Sequence, residues 1–130
     1  MEITINFTES SVIHANLDTF IVKADSSVKN GGEARFPEPA SYFFASLALC
    51  AGYYLQSFCN AREISTHGIT ITQGSKSSSG ANRFQQDIGI AINLPEDFPA
   101  KYRAPLAAAV SGCTVKKMIE AAPQFTVTVN

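Results

Sequence analysis

The chain has 130 residues, 45% of them hydrophobic and 16% charged, with a formal net charge of −1. That length fits one domain over 1–130, and the composition fits a core-rich fold with a sparsely charged surface. Ten Lys and Arg against eleven Asp and Glu leave no basic footprint, which argues against nucleic-acid binding.

Glu2–Phe7 (EITINF) alternates apolar and polar residues and reads as a strand. Val12–Asn16 and Phe20–Ala24 read as two more, joined through the polar breaks Thr8–Ser11 and Leu17–Thr19. Asp25–Ala34 carries Gly31-Gly32 and reads as a loop. It leads into Phe36–Arg62, the stretch around which the chain is organised. Pro37 and Pro39 open this stretch and good helix formers follow, so a helix is expected to start near Pro39 or Ser41. Its apolar residues cover every side, as in a helix that is wholly buried or crosses a membrane. A span needs ~20 mainly apolar residues. Ser46, Gly52, Gln56 and Ser57 interrupt this run, so the reading is a central core helix, not a membrane segment. Part of its cover is expected from a second copy of the chain.

Glu63–Gly68 reads as a turn and Ile69–Gln73 as a strand. Gly74–Asn82 reads as a Gly/Ser-rich hairpin tip and Arg83–Asn93 as the returning strand. After a turn at Pro95–Pro99, Lys101–Ser111 reads as helix. Gly112 breaks it, Cys113–Ala121 is a second helical piece ended by Pro123, and Gln124–Asn130 alternates as a last strand. The order β-β-β-α-β-β-α-β predicts an α+β fold. Its antiparallel-rich sheet has about six strands, packed with two main helices.

The three cysteines, Cys50, Cys59 and Cys113, are odd in number and widely spaced, unlike a disulfide scaffold. With no basic leader of a signal peptide, the expected compartment is the cytoplasm, where thiols stay reduced. His14 and His67 stand apart from the cysteines, so no zinc spacing is present and no metal is expected. No glycine-rich phosphate loop occurs either. Cys50 and Cys59, nine residues apart on one helix, face opposite ways at about 13 Å, so at most one of them shares a site with Cys113. Cys113 follows Gly112 at a helix start, where backbone N–H groups favour a thiolate, with Lys116 and Lys117 one turn on. The alternative for each cysteine is that of a small buried hydrophobe. Arg35 is a candidate cation for a thiolate or an exposed loop residue. Glu33 and Glu38 read as solvated or capping charges. Arg62 and Arg103 read as helix flanks, His67 as a turn residue, and Tyr53–Tyr54 as core and interface.

The run PEPASYFFASLALC ending at Cys50, the following AGYYLQSFCNAREI, the strand pair after Gly68, and GCTVKKMIEAAPQFTVTV beginning at Cys113 together resemble the OsmC/Ohr family. This family comprises the osmotically inducible and organic hydroperoxide resistance proteins. The resemblance implies an intertwined homodimer with two long central helices and a site where two cysteines meet. It implies a thiol-dependent peroxidase with Cys50 as the peroxidatic and Cys113 as the resolving cysteine. Its substrate would be an organic hydroperoxide, its reductant an external dithiol, and no bound cofactor would be needed. Peroxidase members carry a glutamate ten residues before the first cysteine, where this chain has Ala40. They also carry an arginine after the first strand, absent here between Thr8 and His14, and CPV where this chain has CTV. Arg35 and Glu38 are the candidate replacements. These departures leave two alternatives: a non-catalytic dimer holding a small hydrophobic ligand, and a thiol redox sensor.

Overall fold

The computed structural model describes every residue except Glu9 and Ala81. These two fall within the expected Thr8–Ser11 connection and Gly74–Asn82 tip, and at them those readings lie outside the described residues. The chain forms two compact units, 1–45 and 46–130.

In the first unit, β1 (Ile3–Phe7), β2 (Ile13–Leu17) and β3 (Phe20–Ala24) make an antiparallel meander in the order β1-β2-β3. Leu17 pairs with Phe20, so the chain reverses through Asp18 and Thr19 alone. Asp18 takes φ 53°, a left-handed conformation that Asp tolerates better than most residues. The loop that follows is built around Asp25, which is only 2% exposed. Its carboxylate accepts the Ser26 N–H at 2.8 Å and the Arg35 N–H at 3.1 Å. Gly32 is obligatory here: a Cβ would meet the Ser26 carbonyl oxygen at 2.0 Å and Asp25 Oδ1 at 2.7 Å. Glu38 closes the loop by accepting the Ser27 N–H at 2.8 Å.

Helix α1 (Pro39–Ala61) begins at the proline, whose missing N–H costs nothing in a first turn. Its buried residues are Leu47, Ala51, Leu55, Phe58 and Cys59, a single stripe at helical spacing. Leu49 and Tyr53 are 73% and 66% exposed, so this chain alone does not cover the helix on all sides. The helix stops without a glycine. The Ile64 N–H reaches the Cys59 carbonyl at 2.9 Å and the Glu63 N–H reaches that of Asn60 at 3.2 Å. Glu63 takes φ 55°, and Ile64 packs onto the core, a left-handed helix stop with its usual apolar contact.

Strands β4 (Thr70–Ser77) and β5 (Gln86–Asn93) form an antiparallel hairpin. β4 runs four residues beyond the expected Gln73, because Gly74, Ser75, Lys76 and Ser77 find partners in Gly89, Ile88, Asp87 and Gln86. A paired neighbour outweighs the poor strand preference of Gly and Ser. Helices α2 (Arg103–Ser111) and α3 (Thr114–Glu120) follow, so that the described residues hold three α-helices where two main ones were expected. The core of this unit gathers Ala51, Leu55, Phe58 and Cys59 of α1 with Phe98, Leu106 and Val110, and Ile71 and Ile92 of the hairpin pack against it.

The fold is α+β, and among the described residues it has five antiparallel strands in two sheets where about six were expected. Gln124–Asn130 has the alternation of a strand, yet among the described residues it pairs with nothing. Phe125, Val127 and Val129 are 89%, 91% and 97% exposed. Alternation encodes which face is apolar, but a strand also needs a neighbour for its N–H and C=O groups. No helix among the described residues is long and apolar enough to cross a membrane.

The Ser11 hydroxyl, against the opposing effect of burial, holds the Asp25 carboxyl below its ordinary 3.8, aided by the Arg35 and Ser26 amides. A carboxyl lowered in this way stabilises the fold above its unfolded value and loses that contribution as pH falls through the folded one. Asp25→Ala is therefore expected to lower the thermal midpoint at pH 7. The gap from the native protein should narrow in melts run progressively below pH 4.

Candidate functional site

Cys50 lies in the middle of α1 and is half-buried, while Cys113 is 3% exposed and caps the start of α3. Both belong to the second unit. The chain reaches Cys113 through a tight bend after α2, in which the Gly112 N–H bonds the Ala109 carbonyl and the Cys113 N–H that of Val110. The bend turns the first amides of α3 toward α1, and the Thr114 and Val115 N–H groups point at the Cys50 sulfur. The two thiols meet there side chain to side chain.

The pair is asymmetric. Burial opposes ionisation of Cys50, but the Cys113 S–H and the Val115 and Thr114 amides together outweigh it and hold the thiol below its ordinary 9.0. Burial pushes Cys113 up, and so does its hydrogen bond to Cys50, with the Lys116 and Val115 amides only partly compensating. Of the two, Cys50 is therefore the more readily ionised and Cys113 the less. In the sequence the helix start points to a lowered pKa at Cys113, whereas the family resemblance implies Cys50 as the attacking thiolate. The amides do favour a thiolate, but the sulfur they face is the one on α1. Lys116 adds little charge of its own, being paired with Glu120 at 3.6 Å.

Cys59 does not share this site. It is 0% exposed within the core, and burial raises its pKa despite the charge of nearby Arg62. Arg62 stacks on the Phe58 ring at 3.6 Å and donates to the Phe58 carbonyl at 3.1 Å, which fixes the end of α1. Arg35 and Glu38 belong to the first unit. Arg35 Nε lies 3.1 Å from Glu33 and 3.9 Å from Asp25, and its terminal nitrogen donates to Ser10 Oγ at 2.7 Å. Glu38 is held by the Ser27 amide and the Asn30 side chain. Both partner sets are loop groups. A residue the sequence reading left as core is Tyr54, one turn after Cys50, whose hydroxyl shares a 2.6 Å hydrogen bond with Thr114 Oγ1. Among the described residues no group of three or more His, Cys, Asp or Glu is placed to hold a metal ion.

A family model for OsmC-like proteins matches residues 31–128, which takes in both Cys50 and Cys113. The chain belongs to the OsmC-like family. No curated protein matches its sequence. Among solved structures, a Psychrobacter arcticus protein named for osmotic stress induction and a detoxification response superposes with a TM-score of 0.70 at 17% identity. That match covers 89% of this chain and 85% of the other. The OsmC-like protein of Mycoplasma pneumoniae gives 0.66 at 17% identity over 99% and 93% of the two chains. The organic hydroperoxide resistance protein OhrB of Bacillus subtilis gives 0.60 at 16% identity over 93% and 90%. At these identities the likeness establishes the OsmC-like fold.

The asymmetry is measurable in this OsmC-like chain. Alkylation of the reduced protein by iodoacetamide across pH 5–10, read by peptide mass, is expected to give Cys50 a midpoint below 9.0. Cys113 is expected above that value, and Cys59 is expected to stay unreactive in the native state.

Proposed function

We propose that the chain is a thiol-dependent peroxidase acting on organic hydroperoxides. The observation that carries this reading is the contact of the two thiols, with the Thr114 and Val115 amides directed at Cys50. A thiolate is the nucleophile for peroxide. Cys50 attacks one oxygen of the O–O bond and becomes a sulfenic acid, and the alkoxide leaves as the alcohol after taking up a proton. The Cys113 sulfur then attacks the Cys50 sulfur, and the sulfenic oxygen departs as water, leaving a Cys50–Cys113 disulfide. An external dithiol returns both to thiols. The sum is one hydroperoxide and one dithiol converted to alcohol, water and disulfide. Leu49 and Tyr53, exposed beside Cys50 on α1, favour an organic substrate over hydrogen peroxide.

Titration of the reduced protein with cumene hydroperoxide tests this. Rapid loss of two of the three thiols, with a mass change of two hydrogens, is the expected result. Cys50→Ser should abolish it, Cys113→Ser should leave a sulfenic acid on Cys50 that dimedone traps, and Cys59→Ser should change neither. Slow oxidation of all three cysteines alike would overturn the reading. It would favour a non-catalytic protein holding a small hydrophobic ligand, to which Ala40 and the engagement of Arg35 by two carboxylates already point.

We also propose that the working form is a homodimer in the cytoplasm. Support comes from the exposed alternation of Phe125, Val127 and Val129, apolar positions of the kind a second copy covers. Sedimentation is expected to give two copies for the native protein and one for Phe125→Glu/Val127→Glu.

A further inference from the structure

We infer that Tyr54 is a positioning residue for the thiol pair: its hydroxyl holds Thr114, and through it the two amides that face Cys50. This rests on Cys50 being the reactive thiol. Tyr54 lies one turn after Cys50 on α1, so both side chains emerge on neighbouring parts of one helix face. Cys50 meets the Cys113–Val115 turn through its sulfur, and Tyr54 meets the same turn through a 2.6 Å bond to Thr114 Oγ1. The Tyr54 ring is itself braced edge-on by Tyr53, with ring centroids 5.7 Å apart at 82°. One rigid helix thus grips the turn at two points. Without the second grip, the contact to the Cys50 sulfur loses its nearest polar support from α1. That contact is weak when both thiols are protonated, because a neutral thiol is a poor acceptor of amide hydrogen bonds.

Thr114 serves the device twice, through its N–H to Cys50 and through its hydroxyl to Tyr54. Among the described residues, the one titratable group acting on Cys50 is Cys113. The charged residues of α3 are Lys116, Lys117 and Glu120, of which Lys116 and Glu120 pair with each other. No charged side chain is among the groups that lower Cys50, so its shift depends on the amides and on Cys113.

The test uses the full-length reduced protein and two readouts, the pH profile of Cys50 alkylation and the rate of Cys50–Cys113 disulfide closure. Tyr54→Phe removes only the hydroxyl. It is expected to raise the Cys50 midpoint by roughly half to one pH unit, a three- to tenfold loss of thiolate below the midpoint, and to slow closure. Thr114→Val should match it, Thr114→Ser should restore native behaviour, and the double variant should be no worse than either single one. A Tyr54→Phe protein with a lower melting temperature but an unchanged Cys50 profile would overturn the inference. So would additive losses in the double variant. Should the native protein fail to turn over hydroperoxide while Tyr54→Phe still shifts the Cys50 midpoint, the peroxidase reading falls and this one stands.

Discussion

The contact between the Cys50 sulfur and the Cys113–Val115 turn is what the rest of the second unit serves. α1 has to be long, so that the residues after Cys50 can build the core while Cys50 itself stays half-buried. α2 has to end abruptly, so that Gly112 and Cys113 bend the chain back and aim the amides of α3 at α1. The core below, centred on Leu106 and Cys59, fixes the distance between the two helices. The Cys113 S–H and the Val115 and Thr114 amides lower the Cys50 thiol against the effect of burial, while burial and the bond to Cys50 raise Cys113.

Much of this was legible in the sequence. The prolines placed the start of α1 near Pro39 or Ser41, and the polar break Leu17–Thr19 marked the β2–β3 reversal, which the structure narrows to Asp18 and Thr19. A separation of nine residues put Cys50 and Cys59 on opposite sides of α1, so that at most one could share a site with Cys113. The rest was hidden for physical reasons. Glu63 ends α1 in a left-handed conformation normally signalled by glycine, and no side-chain pattern announces that. β4 continues through Gly74 and Ser75 because β5 lies opposite, and pairing is a property of two segments. The direction of a backbone amide has no sequence signature at all, so the helix start points to Cys113, and only the family resemblance points to Cys50.

The first unit follows a different logic. Asp25 gathers the loop through contacts to its carboxylate, Arg35 reaches Glu33, Asp25 and Ser10, and Glu38 is held by Ser27 and Asn30. As sequence features they look like mobile charges. As structure they are parts of a polar clasp whose geometry depends on Gly32 having no side chain.

The bare alternation of Phe125, Val127 and Val129 has a consequence for the protein's life in solution. Gln124–Asn130 carries no charged side chain and no proline, so none of the usual gatekeepers blunts it as a template for foreign strands. Until something covers it, the chain is exposed to mispairing with whatever edge it meets. Its solubility is then a matter of concentration and time as much as of folding stability.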